Sequence, residues 1–271
     1  MTNYLLKGAV YLLTGLTFAS LFLVLGFILF NGVAHLHPDL FAPTYTSDNV
    51  SLMPAIISTL ILVVGSLLIA LPLGLFAGIY LVEYAPKDSK WVTWIRVASD
   101  TLSGIPSIVF GLFGMLFFVI FLGFKYSLLS GILTSVIMIL PLIIRSTEEA
   151  LLAVSDSMRQ ASFALGAGKL RTIFKIVLPV AMPGILSGVI LSIGRIVGET
   201  AALMYTLGTA TNTPTSLMSS GRSLALHMYM LSSEGLHVNQ AYATGVVLIV
   251  TVLIINRISS RLSRQFVKGG T

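Results

Sequence analysis

The chain has 271 residues, 56% of them hydrophobic and only 10% charged, with a mean hydropathy of +0.96. A soluble domain carries about 25% charged residues to solvate its surface, so a water-soluble globule is excluded; the 24 glycines and 10 prolines without a repeat, and the lack of cysteine, exclude collagen-like, disordered and disulfide-stapled chains as well. What remains is an all-α polytopic membrane protein, whose formal net charge of +6 suits anionic lipid headgroups and calls for no nucleic acid.

Charged side chains are costly at a bilayer centre, so stretches without Asp, Glu, Lys or Arg mark the crossings. They run 8–38, 49–82, 101–124, 126–144, 176–194 and 235–256. A seventh, 200–221, is set aside because Thr211, Asn212, Thr213, Pro214, Thr215 and Ser216 are loop chemistry. Six transmembrane helices are predicted, near 9–30, 55–82, 102–122, 127–145, 180–204 and 239–256, all in one domain covering 1–271. The first, from Gly8 to Phe30, exceeds the roughly 7–15 apolar residues of a signal peptide and reads as a retained span. After it, His35 and His37 form an isolated His-x-His, a poor metal site for want of further ligands. The third span carries Gly104, Pro106, Gly111 and Gly114, which predicts a kinked or broken start.

Of the 16 Lys and Arg, all but Lys125, Arg222 and the intramembrane Arg195 fall in one set of segments: around Lys7, from Lys87 to Arg96, from Arg145 to Lys175, and from Arg257 to Lys268. The positive-inside rule puts these segments, and with them both termini, in the cytoplasm.

Between spans four and five the connection 146–179 is long among short neighbours. It reads as two short helices, 147–165 and 169–177, separated by Gly166-Ala167-Gly168 and ended by Pro179. Glycine there permits the left-handed backbone that stops one helix and turns into the next, and Ala161, Phe163, Ala164 and Leu165 offer an apolar surface suited to a partner's groove. The run from Gly166 to Leu170 is not a phosphate-binding loop, because Phe163 and Leu170 stand where Gly and Ser or Thr are needed. No nucleotide site, nucleophile elbow or zinc motif is present in the sequence.

In the fifth span Arg195 and Glu199 are four residues apart, on one face of a continuous helix with Gly184, Ser187, Gly188 and Ser192. Two readings stand: a self-neutralising pair that packs the helix, or a place on a substrate path, where the arginine fork would suit an oxyanion. The polar segment 205–238, with Arg222, His227 and a predicted short helix at 223–233, faces the opposite side from the basic loops. It could meet a binding protein, close the outer mouth, or be a plain surface loop.

The long connection resembles the cytoplasmic signature of type I ABC importer permeases, Glu-Ala-Ala, three residues, Gly, nine residues, Ile, one residue, Leu-Pro. Here the positions are Gln160, Ala161, Ser162, Gly166, Ile176, Leu178 and Pro179, departing at Gln160 for Glu and Ser162 for Ala. The resemblance implies a six-helix permease fold whose coupling helix docks on a separate ATPase, so that ATP and Mg are bound by that partner and no cofactor by this chain. Two further stretches, Ser103 to Gly114 and Gly194 to Leu203, resemble phosphate-specific (Pst-type) permeases of the A type, with Ala202 where many relatives have Pro. That likeness implies import of inorganic phosphate, a second (C-type) permease, an ATP-binding subunit dimer, an extracytoplasmic phosphate-binding protein and a bacterial inner-membrane location. The rivals are an ABC permease for molybdate or sulfate, an ion-coupled secondary transporter, and a membrane assembly factor.

Overall fold

The computed structural model describes the backbone of residues 2–86 and 89–268, and the side chains of 6–86 and 89–261. Lys87 and the side chains of Arg264 and Lys268, which entered the orientation argument, lie outside the described residues. Among those residues the structure is helical without strands. In chain order the helices are α1 (Thr2–Val33), α2 (Met53–Tyr84), α3 (Lys90–Ser103), α4 (Ser107–Phe121), α5 (Leu128–Leu152), α6 (Asp156–Ala164), α7 (Lys169–Val197), α8 (Ala201–Thr206), α9 (Leu224–Glu234) and α10 (Val238–Lys268). Five of them, α1, α2, α5, α7 and α10, are long and apolar enough to cross a membrane. The bent pair α3 and α4, folded by 101° at Gly104–Pro106, makes a sixth candidate when counted as one broken span, and the break expected from Gly104 and Pro106 is present.

Helix α5 is the hub: 61% of its most apolar window is buried, chiefly against α2 and α7. Leu62 of α2, Ile139 and Ile143 of α5, Ile193 of α7 and Leu203 of α8 meet in the central core. In hydrocarbon a polar group gains from an internal partner, and several buried hydroxyls find one in their own helix, whereas Ser135 Oγ and Thr147 Oγ1 of α5 have none among the described residues. Thr134 donates to the Ser130 carbonyl at 2.8 Å, Ser192 to Gly188 at 2.9 Å and Thr206 to Ala202 at 2.9 Å. A second cluster, with Ile79, Leu151, Val154, Ile173 and Val177, closes the bundle beneath α6. By contrast, none of the most apolar window of α1 is buried; among the described residues this helix packs chiefly along α10.

Three boundaries differ from expectation. Helix α5 continues to Leu152, so the first short helix of the connection is 156–164 rather than 147–165; Ser155 starts it as N-cap, its hydroxyl accepting from the Ser157 N–H at 3.3 Å. Pro179 ends nothing: α7 runs through it, after a π-helical turn over Ile173–Val177 whose hydrogen-bond register is already shifted and accommodates the missing N–H. The fifth span stops at Val197 instead of 204, and the chain turns at Gly198–Thr200 before the separate helix α8.

Candidate functional site

Arg195 and Glu199 fall on either side of that turn. Because the chain leaves the helical path at Gly198, the i,i+4 geometry is lost, and among the described residues the two form no ion pair within 4.0 Å. Glu199, only 7% exposed, turns to the new helix instead: its Oε1 accepts the Ala202 N–H of α8 at 3.0 Å. That satisfies one of the orphan donors of a helix start. Its backbone carbonyl accepts from the Ser223 hydroxyl at 3.4 Å. Arg195 is half-buried, with no hydrogen bond to another described residue, on the edge of α7 that also bears the exposed Ser187, Leu191 and Gly198. Gly188 and Ser192, grouped with Arg195 in the sequence reading, are buried instead, and a Cβ on Gly188 would collide with Ser146 of α5. Helix α8 is set against α4 by another close approach, since a Cβ on Gly111 would come within 2.7 Å of the Ala202 Cα. The stretches 103–114 and 194–203, far apart in sequence, thus meet at one place.

At the opposite pole of the bundle lies the connection 146–179, whose resemblance to the importer signature implied a coupling role. Gly166 has φ of +80°, the left-handed value expected of it, and nothing lies within 4 Å of where its Cβ would be. Gln160 and Ala161 are exposed, but Ser162 is buried, bonded to the Thr172 hydroxyl at 2.8 Å across the turn. Ile176, Leu178 and Pro179 are half-buried and belong to the packing of α7 beneath the segment. Phe163 (47% exposed) and Leu165 (89%) stand clear of the protein. The residue that secures α6 is Arg159, which sequence reasoning used only as a topology charge. Its guanidinium donates to Glu83 Oε1 at the end of α2 (3.0 and 2.9 Å), to the Leu151 carbonyl at 2.9 Å and to the Val154 carbonyl at 2.7 Å.

The segment after α8 folds back over the start of α5 through Leu128 N–H to Ser219 O and Leu129 N–H to Leu217 O. Arg222, 8% exposed, donates to the Thr209 carbonyl at 3.1 and 2.8 Å and faces His227 Nδ1 at 3.5 Å. Burial, followed by the Arg222 charge, lowers the His227 pKa to about 3, so this imidazole is neutral. The expected helix at 223–233 is α9, and its Leu224 N–H donates to Thr59 of α2. The sequence marked Arg222 and His227 as polar residues of a loop but carried no signal that they would be buried together. His35 Nδ1 bonds the Asn31 carbonyl at 2.8 Å, closing the end of α1.

Residues 70–268 match the family of binding-protein-dependent transport system inner membrane components. The chain belongs to this family. A probable ABC transporter permease of Bacillus subtilis, YqgI, is 31% identical over 94% of this chain and 93% of its own length. The phosphate transport system permease PstA 1 of Mycobacterium tuberculosis is 44% identical over 57% of this chain, a match that spans 50% of that protein. Among solved structures, a bacterial alginate ABC transporter in complex with its pentasaccharide-bound periplasmic protein superposes with a TM-score of 0.68 at 16% identity, covering 95% of this chain and 96% of that one. The inward-facing MetNI methionine ABC transporter gives 0.61 at 20% identity, covering 79% and 93%. The fold is that of type I ABC importer permeases. The permease is accordingly a multi-pass transport subunit and not an enzyme; in such importers ATP is hydrolysed on a separate subunit.

Proposed function

We propose that the permease is the A-type membrane subunit of an importer of inorganic phosphate. Its partners would be a C-type permease, a pair of subunits that bind ATP and Mg, and an extracytoplasmic phosphate-binding protein, in a bacterial inner membrane with both termini in the cytoplasm. The observation that carries this reading is Arg195, a guanidinium within a membrane helix that no carboxylate neutralises among the described residues. An intramembrane charge without a partner is a functional group by default. A planar fork with parallel N–H donors fits a tetrahedral oxyanion, and the neighbouring edge of α7 is open, with Ser187 and Gly198 beside Leu191. Support for phosphate over other oxyanions comes from the relatives whose names specify phosphate transport. Exposed Gln160, Ala161, Phe163 and Leu165 would meet the ATPase, and Arg159 would carry movement of α6 to the ends of α2 and α5.

The test is uptake and stimulated ATP hydrolysis by the full complex in vesicles, with phosphate compared against sulfate and molybdate. Phosphate is expected to stimulate selectively. Arg195→Lys should lower phosphate uptake by about ten-fold or more, since a charge-assisted hydrogen bond contributes about 1.5–3 kcal/mol. Wild-type uptake by both Arg195→Lys and Arg195→Ala would remove Arg195 from the path.

A further inference from the structure

Helix α3 has one side that nothing among the described residues covers. Its buried residue is Val92, which with Ser99 faces α5, while Arg96 and Asp100 reach the same helix through Glu148 and Arg145, both at 2.6 Å. About 100° around the helix, Trp91, Trp94, Ile95 and Ala98 share a face, and all four are exposed, the tryptophans by 79% and 68%. These are the chain's two tryptophans. Trp is the side chain best suited to a membrane–water interface, with an apolar body and a polar N–H.

Two geometric facts fix what this face meets. The bend of 101° sets α3 nearly perpendicular to α4, so that if α4 crosses the bilayer α3 lies along its surface. Helix α4 has eight α-helical and seven π-helical residues, a rise of at most about 22 Å. That is less than the roughly 30 Å of a hydrocarbon core, so with the far end of α4 at the opposite boundary the corner at Gly104–Pro106 does not reach beyond the near boundary into water. Beyond the corner Ile108, Val109 and Leu112 of α4 are exposed as well. At its start Lys90 is exposed and makes no ion pair among the described residues, which complements anionic headgroups.

We propose that α3 is an interfacial anchor: it lies in the membrane boundary on the side of the coupling segment, with Trp91 and Trp94 inserted among the acyl chains and Lys90 at the phosphate level. Its two ion pairs to α5 then link the lipid surface to the helix that ends just before α6. This holds whichever substrate the permease carries, since it rests only on the membrane fold.

The pair of tryptophans supplies the measurement. The complete complex is reconstituted in phosphatidylcholine–phosphatidylglycerol vesicles, and the α3 signal is taken as the difference between wild type and a Trp91→Phe/Trp94→Phe variant that transports normally. Lipids brominated high on the acyl chain should quench most of this difference fluorescence, and aqueous iodide little of it. Quenching by iodide without quenching by bromolipid would mean that the face lies in water. Protection from both would mean that a partner subunit covers it, and either result overturns the anchor. A second readout covers the case in which the phenylalanine variant fails to assemble: a nitroxide on a cysteine at Ala98 should be relaxed by oxygen, which partitions into lipid, more than by an aqueous nickel chelate. The reverse order refutes the proposal.

Discussion

Arg195 and Glu199 are four residues apart, enough to join them on a continuous helix, yet a single glycine at the end of α7 sends the glutamate to cap α8 and leaves the arginine without an ion pair among the described residues. The two should therefore be energetically independent. In a double-mutant cycle on complex stability, Arg195→Ala and Glu199→Ala should add within about 0.5 kcal/mol, as uncoupled sites do; a coupling above about 1 kcal/mol would restore the ion pair. Glu199→Gln keeps an oxygen that accepts from Ala202 and should fold normally, whereas Glu199→Ala should cost about 1 kcal/mol as a lost cap. Arg159 presents the opposite case, a cation fully engaged by Glu83 and two helix-end carbonyls. Arg159→Ala strands a carboxylate that is 9% exposed and should destabilise by about 3 kcal/mol. Restored assembly in the Arg159→Met/Glu83→Met variant, but with ATP hydrolysis no longer tied to uptake, would identify the contact as the mechanical link; normal coupling in that variant would make it packing alone. His227 gives a pH dependence. Its folded pKa of about 3 lies below the ordinary 6.5, so the unfolded chain takes up the proton first and stability falls as pH drops from about 6.5 towards 3. His227→Asn retains an acceptor for Arg222 and should flatten that window in a thermal-unfolding series; an unchanged slope would place the titration elsewhere.

Helix ends and turns are where sequence and structure part. The left-handed turn at Gly166 was legible, because only glycine adopts that backbone without cost. Gly166→Val should weaken coupling through a backbone penalty of about 1 kcal/mol or more, with no steric clash, since the space around the glycine is open. Gly166→Asn, which tolerates the left-handed region, should couple nearly as well; equal loss in both variants would mean that something other than the turn is at stake. Helix α3 was missed because charge-free gaps detect only crossings, and Arg96 and Asp100 made 90–103 look like connection, although Trp91, Trp94, Ile95 and Ala98 carry the helical period. Pro179 does not act as the stop its residue type suggests, because a proline signal says nothing of a π turn that ends two residues upstream. Ser162 lay within a motif expected to meet the partner, but its hydroxyl closes the turn against Thr172, a pairing across ten residues that no local pattern announces.

At the scale of the whole molecule the number of crossings follows from hydrophobicity alone, because the bilayer permits only helices of sufficient apolar length, and the one short crossing is the one broken by Gly104 and Pro106. The central site was less legible, since it forms where 103–114 and 194–203 are brought together by packing. Orientation rests on a separate physical asymmetry, the retention of Lys and Arg on the cytoplasmic side. Of the described residues, Arg96, Arg145, Arg159, Lys169, Arg171 and Lys175 lie at the pole that holds α6, while Lys125 and Arg222 lie at the other. A chain without cysteine makes this testable residue by residue. Single cysteines at Ser47, Lys125 and Ser219 should react with a membrane-impermeant maleimide added to intact cells, because all three sit in connections that the charge asymmetry assigns to the outer side. Cysteines at Ser89, beside the start of α3, and Ser260, in the last helix, should react only after permeabilisation. Labelling of Ser89 with protection of Ser47 would invert the molecule, putting the coupling segment on the side without ATP, and the importer reading would fall with it.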